Sequence, residues 1–135
     1  MAKPITDIEG IGPSYAEKLK GAGVNNIESL LETGASKKGR VQLAADSSID
    51  ESRILTWVNM ADLMRINGVG SEFSELLQAS GVDTVKELRN RNAENLKAKL
   101  DEVNAEKKLT RAVPALSQVE KFITEAKGLD PVVTH

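Results

Sequence analysis

The sequence predicts an all-α protein made of two helix-hairpin repeats, each followed by two further helices, packed as one compact helical domain. Three observations carry this expectation. One stretch occurs twice. The first copy is Ile8-Glu9-Gly10-Ile11-Gly12-Pro13-Ser14-Tyr15-Ala16-Glu17-Lys18-Leu19, running on to Gly23-Val24. The second is Ile66-Asn67-Gly68-Val69-Gly70-Ser71-Glu72-Phe73-Ser74-Glu75-Leu76-Leu77, running on to Gly81-Val82. Gly10 and Gly68, like Gly23 and Gly81, stand 58 positions apart, and a fixed offset of this size marks a repeated structural unit. Elsewhere apolar residues recur at helical spacing, as in Ile54, Leu55, Trp57, Val58, Ala61 and Met64. No stretch alternates in the manner of a strand. The chain holds one Trp, one Tyr and two Phe, so its core must be mostly Leu, Ile, Val and Ala, which suits packed helices. Repeat one is read as residues 4–62, repeat two as 63–129, and 130–135 as a tail.

Met1 to Lys3 read as a loose start. Pro4 to Ile8 read as one helical turn leading into the first repeat. Gly10 and Gly12 allow a tight turn, with Ile11 plugged into the core. Pro13 suits the first turn of the helix 13–22, where its missing N–H has no helical partner. Ser14 and Glu17 have capping-box spacing. Tyr15 and Leu19 are four apart and share a face, and Gly23 fits a left-handed helix end. Asn25 or Asn26 caps the next helix, about 27–32, with Ile27, Leu30 and Leu31 inward. Ser36 to Arg40 open a third helix through Val41, Leu43 and Ala44, ending near Asp46. Ser48 and Glu51 give a second capping-box signal ahead of the helix that carries Trp57.

The second half repeats the plan. A helix over 71–79 follows Gly68-Val69-Gly70. Asp83 is the expected N-cap for 84–89, with Val85 and Leu88 inward. Asn92 caps a helix carrying Leu96, Leu100 and Val103. Residues 104–113 are polar and basic with Leu109 as anchor. Pro114 opens a last helix with Leu116, Val119, Phe122, Ile123 and Ala126, which Gly128 ends. Pro131 prevents the tail from continuing it.

Gly10-Ile11-Gly12-Pro13 with Ala16 and Leu19, and Gly68-Val69-Gly70 with Leu77, resemble the helix-hairpin-helix motif. Proteins that carry it include DNA repair and recombination factors and some ribosomal proteins. The whole chain, with Trp57 to Leu63 and Val82 to Leu88, resembles an uncharacterised bacterial family of domains of unknown function built from this tandem. The motif resemblance implies that hairpin amides and the following helix N-terminus hold a nucleic-acid phosphate. Free N–H groups and the positive end of a helix dipole favour an anion. It further implies two hairpins related by pseudo-twofold symmetry, gripping both strands across a minor groove without reading sequence. The residues so implicated are Gly10, Ile11, Gly12 and Ser14 in the first copy and Asn67, Gly68, Val69 and Gly70 in the second, with the Glu72 amide beside them. Lys18, Lys20, Lys37, Lys38 and Arg40 would assist the first, and Arg65 the second.

Charge opposes strong nucleic-acid binding. The net charge is −2, whereas such binders are usually basic. Glu9 stands where many DNA-binding members of the motif have Pro, with Asp7 nearby. Glu72 and Glu75 follow the second turn, and no Lys comes until Lys86. An exposed carboxylate beside a phosphate is repulsive by up to about 1 kcal/mol per pair in a water-like dielectric. Two functional readings therefore stand: sequence-independent DNA binding through backbone amides, and a protein-interaction or scaffold module that keeps the fold without it. Lys107, Lys108 and Arg111 form a further basic cluster that reads as solvated surface. Trp57 reads as core, with a stacking platform as its alternative.

Catalysis is not expected. With no Cys and a single His, there is no thiolate, disulfide or zinc-ligand set. Gly10 to Tyr15 lack the third glycine and the preceding strand of a dinucleotide fingerprint. No cofactor and no metal are expected. No apolar run reaches the ~20 residues of a membrane span and no leader pattern begins the chain, so a cytoplasmic protein is the expectation. The sequence does not fix the oligomeric state.

Overall fold

The computed structural model describes residues 3–135, so Met1 and Ala2 of the loose start lie outside the described residues. The fold is all-α. Among the described residues a single 3-10 turn at Ile5–Asp7 precedes eight helices: α1 Pro13–Gly21, α2 Ile27–Gly34, α3 Lys37–Ser47, α4 Glu51–Leu63, α5 Ser71–Ala79, α6 Val85–Leu88, α7 Ala93–Lys107 and α8 Leu116–Lys127. Among the described residues the one extended pairing is an isolated bridge between Pro4 and Asn26. None of these helices is long and apolar enough to cross a membrane.

The chain divides into two compact units, residues 1–62 with 132–135, and residues 63–131. In the first unit α2 and α1 both pack on α3, and the 3-10 turn rests on α1 and α2. Ile5, Ile8, Ile11, Leu19, Leu30 and Leu43 are buried there. In the second, α7 and α6 pack on α8 and α5 packs on α7. Its core joins Val69, Leu76, Leu77, Val85, Leu88, Leu100 and Phe122.

The two copies of the repeated stretch fold alike down to individual bonds. Gly10 and Gly68 have φ of 97° and 91°, and Gly23 and Gly81 of 90° and 94°. Ile11 N–H donates to Ile8 C=O and Val69 N–H to Ile66 C=O, both at 3.1 Å. Val24 N–H reaches Leu19 C=O and Val82 N–H reaches Leu77 C=O, both at 2.9 Å. Gly12 and Gly70 differ from expectation. They are the N-caps of α1 and α5 and keep ordinary φ of −89° and −99°. The left-handed turn is made by the first glycine of each pair alone.

Three expected caps are corrected. Pro13 takes the first position of α1, which places Ser14 inside the helix, so the Ser14–Glu17 box does not form and no side chain caps α1. Ser48 is left-handed, with φ 59°, and terminates α3 instead of starting α4. Helix α4 instead springs from Asp50, whose C=O accepts from the N–H groups of Arg53 and Ile54. Thr84, not Asp83, caps α6: its Oγ1 accepts from Glu87 N–H at 3.3 Å. Asn26 does the same for α2, accepting from Ser29 N–H at 2.7 Å. Asn92 caps α7 as expected, and that helix runs on to Lys107. Leu31 is only half-buried, whereas Ile27 and Leu30 are buried.

Helices α2 and α3 meet closely at Gly39. A Cβ there would run into the Thr33 carbonyl oxygen, a backbone atom that cannot turn aside. Gly39→Ala is expected to lower stability by about 2–3 kcal/mol through overpacking, read as a shift of the urea midpoint at unchanged slope. An unchanged midpoint would mean that α2 and α3 are free to separate.

Candidate functional site

In each unit the residues singled out by sequence form a turn, a helix start and an aromatic seat. The first turn exposes Glu9, Gly10, Gly12, Pro13 and Ser14, while Ile11 is buried beneath it. Ala16 N–H donates to Gly12 C=O at 2.9 Å. The N–H groups of Gly10, Gly12, Ser14 and Tyr15 donate to no acceptor among the described residues. Ser14 and Tyr15 stand in the first turn of α1, the positive end of its dipole, and Gly10 and Gly12 lead into it.

Gly10 lies against Trp57, where an added Cβ would come 3.3 Å from the indole Nε1. Tyr15 meets Trp57 edge to face, with ring centres 5.1 Å apart. Trp57 is 3% exposed, so it is core and offers no open stacking face. Tyr15 is half-buried and carries two cations beside its ring. Lys18 Nζ lies 5.9 Å from the ring centre and the Arg53 guanidinium 5.4 Å. Both side chains are exposed. Arg53 escaped the sequence reading because it comes from α4, some forty residues along the chain. Lys20 borders a shallow groove with Ile5, Pro13, Ala16, Glu17, Val24 and Asn25.

The second turn has the same backbone and different neighbours. Gly68 lies against Phe122, with an added Cβ 3.2 Å from Cε1. Phe73 packs on Phe122 at 6.3 Å between ring centres. Gly68, Gly70, Ser71, Glu72 and Phe73 line an open depression, and Val69 is buried. Asn67 N–H already donates to Glu125 Oε2 at 3.0 Å. One donor of this turn therefore serves the protein's own carboxylate, and Glu72 places another in the first turn of α5. Arg65 is half-buried and engaged within the fold.

Arg40 is the clear correction among the expected phosphate ligands. It is 1% exposed. Its Nη1 donates to the carbonyls of Gly34 at 2.9 Å and Ala35 at 3.1 Å, and its Nη2 to that of Thr134 at 2.6 Å. A guanidinium buried and spent on three carbonyls is not presented to a phosphate. Lys37 is exposed but paired with Glu51 at 2.7 Å, and Lys38 is exposed. Both sit at the start of α3, not at that of α1. The structure thus keeps Gly12 and Ser14 at the start of α1, brings Lys18 beside Tyr15 and removes Arg40 from the group. Among the described residues no cluster of three or more His, Cys, Asp or Glu could hold a metal ion.

A family described as "Domain of unknown function (DUF4332)" matches residues 9–129. No curated protein and no solved structure gives a match.

Proposed function

The chain belongs to that family of uncharacterised domains, and we propose that it is a non-catalytic, helix-hairpin-helix module that binds nucleic acid without sequence specificity, chiefly through its first turn. One observation carries the reading: the N–H groups of Gly10, Gly12, Ser14 and Tyr15, in the turn and the first turn of α1, have no acceptor among the described residues. Lys18 and Arg53 flank them beside Tyr15. A backbone phosphate offers acceptor oxygens and negative charge to such a place. The second turn is the weaker partner: Glu125 takes its Asn67 N–H and Glu72 stands in the first turn of α5, whereas the exposed Glu9 of the first copy lies ahead of α1, whose first turn holds no acid.

The test is titration of labelled duplex and branched DNA at about 50 and about 200 mM salt, where phosphate contacts lose affinity steeply. Gly12→Asp is a clean probe. A side chain at Gly12 meets nothing within 4 Å, and Asp is a favoured N-cap, so the variant is expected to fold at least as stably as the parent. Its carboxylate would sit where the phosphate binds, and affinity is expected to fall by about tenfold or more. Gly70→Asp, also in open space, is expected to weaken binding far less. Equal binding by parent and Gly12→Asp would sink the proposal.

A second reading rests on the acidic second turn. Glu125 bound to Asn67 N–H suits a module that docks on protein and leaves DNA alone. Absence of DNA binding even at the lower salt would favour it.

A further inference from the structure

Residues 132–135 belong to the first unit, although the chain reaches them only after α8. There Thr134 is held at both of its main-chain groups. Its N–H donates to Ala35 C=O at 2.8 Å, and its C=O accepts from Arg40 Nη2 at 2.6 Å. Val133 beside it is 7% exposed, while Val132, Thr134 and His135 are exposed. Burial of one residue between exposed neighbours is the pattern of an extended strand lying on a surface.

The receiving groups are fixed independently of the tail. Arg40 Nη1 is tied to Gly34 C=O and Ala35 C=O, which holds the guanidinium across the end of α2. Its Nε is buried and has no hydrogen-bond partner. Among the described residues no carboxylate lies within 4.0 Å of it. A fixed donor, a fixed acceptor and a seat for one aliphatic side chain make a site that reads peptide backbone. Strand-addition sites recognise their ligands by the same means.

We propose that the end of α2 together with Arg40 forms a docking site for an extended peptide, filled in cis by Val133-Thr134 and open in trans to the same segment of a second copy. The occupant is set by what the site already holds: two main-chain bonds and one buried valine, all of which an identical tail supplies equally. The cis tail is favoured in dilute solution because tethering raises its effective concentration. Trans occupancy follows when the cis tail is released.

The experiment uses the full chain carrying Val133→Asp, which puts a charge into the aliphatic seat and frees the site. A fluorescent peptide of residues 128–135 is titrated into it and followed by anisotropy. Saturable binding is expected, about tenfold or more tighter than to the parent chain, whose own tail competes. The same peptide N-methylated at Thr134 loses the bond to Ala35 and is expected to bind at least about tenfold more weakly. If circular dichroism shows Val133→Asp unfolded, Thr134→Pro, which deletes the donated N–H together with the hydroxyl that also reaches Ala35 C=O, takes its place. The proposal is overturned if a folded, tail-released chain does not bind the peptide, or binds the methylated peptide equally well.

Discussion

Arg40→Ala is expected to destabilise the protein by about 3–5 kcal/mol, since it removes charge-assisted hydrogen bonds to three carbonyls worth about 1.5–3 kcal/mol each. The side chain is 1% exposed and its guanidinium serves three carbonyls. Two of these, from Gly34 and Ala35, lie at the C-terminus of α2, where helix carbonyls lack intrahelical partners and the dipole is negative. The truncation leaves Gly34 C=O, in a buried residue, unpaired and turns Thr134 C=O, in an exposed one, over to water. Each unsatisfied buried group adds about 1–3 kcal/mol. Ala35 C=O is less affected, because it still receives the Thr134 N–H. Arg40→Lys is expected to fall in between: it keeps the charge, but a single ammonium cannot reproduce the planar fork across both helix end and tail. Urea unfolding at neutral pH gives both numbers. A loss below about 1 kcal/mol for Arg40→Ala would show that water takes over the carbonyls, and that the guanidinium is not the staple described here. The prediction also warns against Arg40 as a probe of nucleic-acid binding, since any lost affinity would be confounded by lost structure.

This residue shows where sequence reading stops. Lys37-Lys38-Gly39-Arg40 looks like a basic surface run, and for Lys38 it is one. Arg40 turns inward because the end of α2 lacks acceptors' partners and because Thr134, ninety-four positions away, comes back to it. No local pattern encodes such a contact. The same holds for Glu125 at Asn67 and for Arg53 at Tyr15, which meet only once helices pack. The helical fold was legible, since it rests on periodicity, Pro13, the glycines and the 58-residue repeat. Misplaced caps have a different cause. Ser, Asp and Thr all accept from helix N–H groups, so neighbours such as Asp83 and Thr84 compete on chemistry alone. The repeat does not choose between them either, since Asp83 and Thr84 stand at the registers of Asn25 and Asn26, both favoured caps. Phe122 lies outside that register relative to Trp57, so the shared aromatic seat under both glycine turns could be seen only in the structure.

Leu19→Ala and Leu77→Ala are each expected to lower stability by about 2–5 kcal/mol, the range for a buried leucine that leaves a cavity. Leu19 is 0% exposed and Leu77 1%. They occupy the same position in the two copies, four residues after Tyr15 and Phe73, and their carbonyls receive the matching bonds from Val24 and Val82. Hydrogen exchange distinguishes the two effects by location. Leu19→Ala is expected to deprotect amides of α1 and α3, which pack together. Leu77→Ala is expected to deprotect those of α5 and α7. Both variants keep the glycine turns and their aromatic seats, so a folded Leu19→Ala protein should retain the unpaired donors at the start of α1. A loss below about 1 kcal/mol at one position alone would mean that the copies share a backbone but not a core. The aromatic pair, not the leucine, would then be what fixes that turn against its unit.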